Sequence, residues 1–248
     1  MKKENYSYIG IAFTILVFGI IFIPKIIDRV TNKDVTRSES RSVSVSNETR
    51  TTKTSDLAFL EINGEAKKVP DFSFVNQDGK TITNKDYLGK VYVLEFFFTT
   101  CPTICPIMNR NMVAIQEAFP NTKNFGIASI TINPEVDTPS VLKAYANKYK
   151  VTNTNWHFLT GEEAAIYKLA NQGFNLYTAV EAEAEGGFEH SGNFALIDKN
   201  GFIRSRKING NPVIYYNGMI TEAEQVDDEG QEQQITMLKQ DIQKLLLE

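Results

Sequence analysis

The chain carries only two cysteines and two histidines, so soft-metal or thiol chemistry has few places to reside. Both cysteines fall in FFFTTCPTICPIMNRNM, residues 96–112, where Cys101 and Cys105 stand four apart and each is followed by proline. A disulfide across so short a step removes little entropy from the unfolded chain, which makes a purely stabilising bridge a poor reason for the pair. Two chemistries suit it better: a redox dithiol, or two thiolate ligands of one metal ion. The histidines bear on the choice. His157 lies in NWHFLT, inside a strand-like run, and reads as a hydrogen-bonded sheet residue. His190 lies in AEAEGGFEHSGNFALID, after the pair Gly186 and Gly187, whose backbone freedom makes the preceding loop pliable. Spacing alone leaves the redox and the Cys2His readings open. For a metal, two thiolates and one imidazole suit copper, and Cu(I) in particular, whereas structural zinc takes four ligands and, with His157 read as a sheet residue, no further Cys or His is left to complete them.

The elements around these residues follow from periodicity. VYVLEFFF, residues 91–98, is a continuous apolar run of strand length, the pattern of a strand buried on both faces. From Cys105 onward Met108, Met112, Ile115 and Phe119 recur at helical spacing, and Pro106 suits a first helical turn. Met108 and Met112 belong to that stripe and are assigned to packing. The cysteines thus sit where a central strand ends and a helix begins. Amide groups and the positive helix end at such a junction predict a lowered pKa for Cys105.

Further strands are predicted at 125–132 and 156–160, a capped helix at 138–149, a helix at 161–172 and a closing helix at 233–247. Hairpins are expected to turn at 76–79 and at 198–201. Strands and helices alternate and then end in a hairpin, which predicts an α/β sandwich with a mixed central sheet over residues 59–248. The segment 221–232 is acidic and reads as a solvated surface loop.

The N-terminus is of another kind. No charge occurs between Tyr8 and Ile23, and only Lys25 interrupts the apolar run to Ile27, enough to span a bilayer. Bulky residues stand where a signal peptidase site would lie, so residues 1–30 are read as an uncleaved membrane anchor. Residues 31–58, rich in Ser, Thr and charge, are a flexible tether. A net charge of -4 argues against nucleic-acid partners, which need a basic surface. The expected location is the bacterial inner membrane, single-pass, with the soluble domain on the periplasmic side.

TTCPTICPIM, TINPEVDTP, WHFLTG and FEHSGNFALIDKNG, spread over residues 69–208, together resemble the Sco family, membrane-anchored thioredoxin-fold proteins that help assemble the copper centre of cytochrome c oxidase. The resemblance implies a thioredoxin-like domain holding one copper ion, most simply Cu(I), through Cys101, Cys105 and His190. It implies delivery of copper to the copper-bearing oxidase subunit, reduction of that subunit's cysteines, or both, with another copper chaperone as a further partner. Two positions depart from the family pattern: Glu189 replaces the usual Asp before the histidine, and Asn133 replaces the first acid of the element that retains Asp137.

On this reading the loop 179–189, anionic through Glu181, Glu183, Glu185 and Glu189, brings His190 to the sulfurs when copper relieves the repulsion between carboxylates and thiolates. A membrane-tethered thiol-disulfide oxidoreductase would use the same cysteines without His190. A peroxidase of the same fold needs a cation against the attacking sulfur, for which Arg110 is the basic residue nearby in sequence.

Overall fold

A computed structural model describes residues 57–176, 178–180 and 188–248, together with Leu16, Phe18 and Ile23, which are helical. The anchor (1–30) and the tether (31–58) therefore lie outside the described residues, those three positions and the last two residues of the tether excepted. Among the described residues no helix is long and apolar enough to cross a membrane. Leu57, two residues before the expected start of the domain, is buried.

The labelled strands are β1 (Ala58–Phe59), β2 (Ser73–Asn76), β3 (Thr81–Thr83), β4 (Val91–Phe97), β5 (Phe125–Thr131), β6 (Trp156–Thr160), β7 (Thr178–Val180), β8 (Phe188–His190), β9 (Asn193–Ile197), β10 (Ile203–Ser205) and β11 (Tyr216–Asn217). The helices are α1 (Cys105–Ala118), α2 (Pro139–Lys148), α3 (Glu163–Lys168) and α4 (Ile235–Leu247). The main sheet runs β1-β10-β9-β4-β5-β6-β2-β3, with β11 added to β9. β4, β5 and β6 are parallel and every other pairing is antiparallel, the mixed sheet expected.

The apolar runs explain the centre. Every residue of β4 and of β5 is buried, because each strand is covered on both faces. The chain steps from β4 to β5 to β6 in one direction, and right-handed crossovers then place α1 and α2 on the same face. Asn109 of α1 accordingly donates to the Tyr145 hydroxyl of α2 at 3.0 Å. On that face Phe97 meets Tyr145, while on the other Phe96 meets Phe174 and Phe98 meets Phe188.

Two expectations change in detail. Thr138 stands at the N-terminus of α2, but its hydroxyl pairs with the Ser140 hydroxyl at 3.0 Å and caps no backbone amide. The helix predicted over 161–172 starts later, where the Glu162 carboxylate takes the amides of Ala164 and Ala165, and it widens into a π-turn at Leu169–Phe174. Asn175, in the left-handed region at φ 53°, ends it.

The C-terminal helix is locked by buried charge. Asp241 is fully buried and accepts from Arg206 Nε at 2.9 Å, Arg206 Nη2 at 2.6 Å and the Tyr216 hydroxyl at 2.9 Å, which joins β11 and α4. Removing one member of a buried pair leaves the other charge uncompensated. Arg206→Ala is therefore expected to lower stability by about 3 kcal/mol, read as a shift of the urea midpoint. An unchanged midpoint would show that Tyr216 and Lys244, whose Nζ lies 3.5 Å from the carboxylate, satisfy Asp241 without Arg206.

Candidate functional site

β4 ends at Phe97 and the chain turns at once, the Cys101 amide donating to the Phe98 carbonyl at 3.3 Å. α1 then starts at Cys105, with Pro106 in its first turn as its fixed φ favours. The two cysteines are not joined by a disulfide; Cys105 is fully buried and Cys101 7% exposed. The Cys105 amide points at the Cys101 sulfur at 3.5 Å, and the Thr103 hydroxyl lies 3.8 Å from the same sulfur. Cys101 Sγ is thus the sulfur that receives a donor from the helix end, and the one that solvent or a partner reaches.

The expectation that Cys105 has a lowered pKa is overturned. Hydrogen bonding with the Cys101 sulfur, then burial, then repulsion from Cys101 hold the Cys105 thiol far above its ordinary value. The positive helix end does not compensate, because the first-turn amide serves Cys101 and the Cys105 side chain is sealed from water. A cation shared by both sulfurs removes that repulsion, so the arrangement favours a bound metal or a covalent S–S bond over a free thiolate pair.

The turn itself is fixed from a distance. Asp137, fully buried, accepts the Thr99 amide at 3.0 Å, the Thr99 hydroxyl and the Thr131 hydroxyl. Thr99 lies two residues before Cys101, so one carboxylate ties the end of β5 to the strand exit that carries the sulfurs. Asn133, at the position where the family resemblance leads one to expect an acid, uses its backbone: its amide meets the Thr131 hydroxyl at 3.0 Å and its carbonyl takes the Asp137 amide at 2.9 Å.

Sequence reasoning missed Glu95. It sits inside β4 with no exposure, on the face that α1 and α2 cover. Its Oε1 accepts from Ser129 Oγ at 2.6 Å, and that hydroxyl in turn takes Trp156 Nε1 at 3.0 Å, while Oε2 has no hydrogen-bond partner. Burial pushes its pKa up to about 7, against a smaller opposing effect of the Ser129 hydrogen bond. Its charge acts on both Cys105 and Tyr145. The signal was a lone acid interrupting the run VYVLEFFF.

His190 ends β8, its backbone paired with Thr178 of β7. The Phe188 ring of the same strand packs on Phe98 with centroids 5.2 Å apart. β9 runs antiparallel to β4, Ala195 opposite Leu94, so the residues just before β9 lie at the end of β4 that leads into the cysteines. The topology thereby brings the backbone of residue 190 to the cysteine end of the sheet. Its side chain, and Glu181, Glu183, Glu185 and the side chain of Glu189, lie outside the described residues. Among the described residues no three Cys, His, Asp or Glu side chains gather as a metal cluster.

The other candidates are placed as well. His157 lies level with Leu94 in the sheet, well below the cysteines; its Nδ1 is 3.2 Å from Asn76 Nδ2, its ring meets Tyr87, and burial lowers its pKa. Met108 and Met112 are fully buried packing residues. Arg110 is exposed and its charge acts on Glu224, which gives the peroxidase reading no support. The acidic segment closes on itself and on α4: Glu224 accepts from Thr221, and Glu222 pairs with Lys239.

A family model described as SCO1/SenC matches residues 61–213. The chain is 34% identical over 137 residues to the SCO1 protein homolog of Bacillus subtilis (strain 168), a match covering 54% of this chain and 70% of that one. It is 29% identical over 152 residues, 60% of this chain and 73% of the other, to a Stutzerimonas stutzeri protein named as copper-binding. The solved structure of BsSco, described as a member of the Sco family of cytochrome c oxidase assembly proteins in which a disulfide switch was identified, is similar with a TM-score of 0.56 at 28% identity, covering 73% of this chain and 94% of that one. The fold is thus the thioredoxin-like α/β arrangement with a mixed sheet.

A carboxyl raised to about 7 in the folded protein binds more protons there than in the unfolded chain between pH 4.5 and 7, so its contribution to stability falls as pH rises through that window. Glu95→Gln is expected to gain on the parent by up to about 3 kcal/mol above pH 7 and by little below pH 4.5. Urea midpoints at several pH values check this; parallel profiles would show that Glu95 titrates normally. Asp137→Ala leaves the Thr99 amide without its acceptor and is expected to speed iodoacetamide alkylation of Cys101 severalfold, measured by mass spectrometry.

Proposed function

We propose a function from one premise: this chain belongs to the SCO1/SenC family. It binds one copper ion, as Cu(I), through Cys101, Cys105 and His190. It uses that site to deliver copper to the copper-bearing subunit of cytochrome c oxidase, to reduce the cysteines of that subunit, or both. Residues 1–30 anchor it in the bacterial inner membrane, residues 31–58 tether the domain, and residues 59–248 work on the periplasmic side.

The observation that carries this reading is the pair of sulfurs at one strand-to-helix turn, in which the Cys105 amide already meets the Cys101 sulfur. Two soft donors held together in an apolar setting suit Cu(I). The relative named as copper-binding and the BsSco structure support copper and oxidase assembly, respectively. Copper, as cargo, replaces two thiol protons when it binds, so uptake releases protons and strengthens as pH rises. The burial that holds Cys105 protonated makes this exchange the step that acid opposes. Solvent and partner reach Cys101 first, which makes it the sulfur through which metal or electrons pass.

The oxidoreductase reading is favoured by one feature of its own: the thiols are hydrogen-bonded to each other, so closing a disulfide needs little motion. The two are separated by substitution in the full chain. Cys101→Ser and Cys105→Ser are each expected to abolish tight binding of one Cu(I) equivalent, and His190→Ala to weaken it about 10- to 100-fold, in competition with a chromophoric chelator. Unchanged stoichiometry and affinity in all of them would place copper elsewhere. Full disulfide-reductase activity in a His190→Ala protein whose parent binds no Cu(I) would establish the oxidoreductase instead.

A further inference from the structure

Met219 differs from the methionines of α1. Met108 and Met112 are fully buried, whereas Met219 is 39% exposed, so its sulfur is open to an incoming ion. Its backbone is held on two sides. Gly218 donates its amide to the Gly192 carbonyl at 2.7 Å, continuing the pairing of Asn193 with Asn217. From the other direction Asn111 of α1, the helix that begins at Cys105, donates to the carbonyls of Gly218 and Ile220 at 2.9 and 3.1 Å. The Met219 amide itself meets Asn217 Oδ1 at 2.8 Å.

The side chain lies across Gly192. A Cβ at that position would stand 2.2 Å from Met219 Cγ and 2.5 Å from its sulfur, so the thioether occupies the space that the glycine leaves open. Gly192 is two residues past His190. β9 runs antiparallel to β4 and pairs with it from Ala195, opposite Leu94, onward, so Gly192 lies past that pairing, toward the end of β4 that leads into the cysteine turn. The thioether therefore lies over the backbone two residues past His190, at the end of the sheet where the cysteine turn begins. It also lies past residue 213, where the family match stops.

We propose that the Met219 thioether is a further ligand for Cu(I), at the rim of the site that the two cysteines and His190 form. A thioether is a soft donor that selects Cu(I) over harder ions. It carries no proton to lose, so it takes the metal without releasing one. That difference suits a rim position, where an ion is first received and last released. This inference deepens the copper reading and rests on it.

The test uses full-length protein grown with selenomethionine, reduced, loaded with one equivalent of Cu(I) and studied by X-ray absorption at the copper edge. The expected result is a copper–selenium shell, absent from Met219→Leu protein prepared in the same way. A spectrum of the parent without a selenium shell, in protein that retains its copper, overturns the proposal while the copper reading stands. A shell that persists in Met219→Leu also overturns it, by placing the bond on another methionine. Failure of the parent to retain copper at all overturns both. The parent spectrum decides even where the variant folds poorly.

Discussion

The hydrogen bonds that the buried carboxylate of Asp137 accepts from Thr99 and Thr131 hold together the end of β5 and the exit of β4. That exit carries Cys101 within two residues and leads directly into α1 at Cys105. Without it the turn is an irregular segment free to separate the sulfurs. With it, the Cys105 amide meets Cys101 and the thiols share a hydrogen bond. The site is therefore a property of the sheet's edge geometry, with the sulfurs as its outermost part.

Burial then sets the chemistry. Cys105 is sealed beneath the helix and keeps its proton, while Cys101 retains slight access to solvent and accepts the helix amide. On the function proposed above the two sulfurs have different tasks: Cys101 meets the partner, and Cys105 engages once a cation or a bond to its neighbour offsets the cost of its charge. Glu95 places a second ionisable group below the same helix, with one oxygen unpartnered and a titration near neutral pH. A carboxyl so disposed lowers stability at neutral pH, which is the usual price of a polar group kept near working chemistry.

The C-terminal part serves the same end of the molecule. Arg206, Asp241 and Tyr216 fasten β11 to α4, and β11 lies along the start of β9. Residues 218–220 are thereby held against α1, where Asn111 reaches them. The acidic turns that follow dock on α4 through Glu222 and Lys239, away from the sulfurs in sequence and tied to a different helix face.

Local pattern alone determined a good deal. The doubly buried strands, the helix beginning at Cys105, the hairpin turns and the packing role of Met108 and Met112 were legible because apolar periodicity and proline placement report burial within a few residues of chain. Nothing in such a window reports a partner far along the chain. Asp137 reaches Thr99 across 38 positions, Asn111 reaches Gly218 across 107, and Glu95 finds Ser129 across 34. The expected thiolate at Cys105 failed for the same reason: helix-end electrostatics is local and readable, whereas the second sulfur's hydrogen bond and the depth of burial that outweigh it exist only once the sheet and helices have packed. Strand register, set by the whole core at once, is what placed the two cysteines at the exit of β4 and brought the backbone of residue 190 to the same end of the sheet.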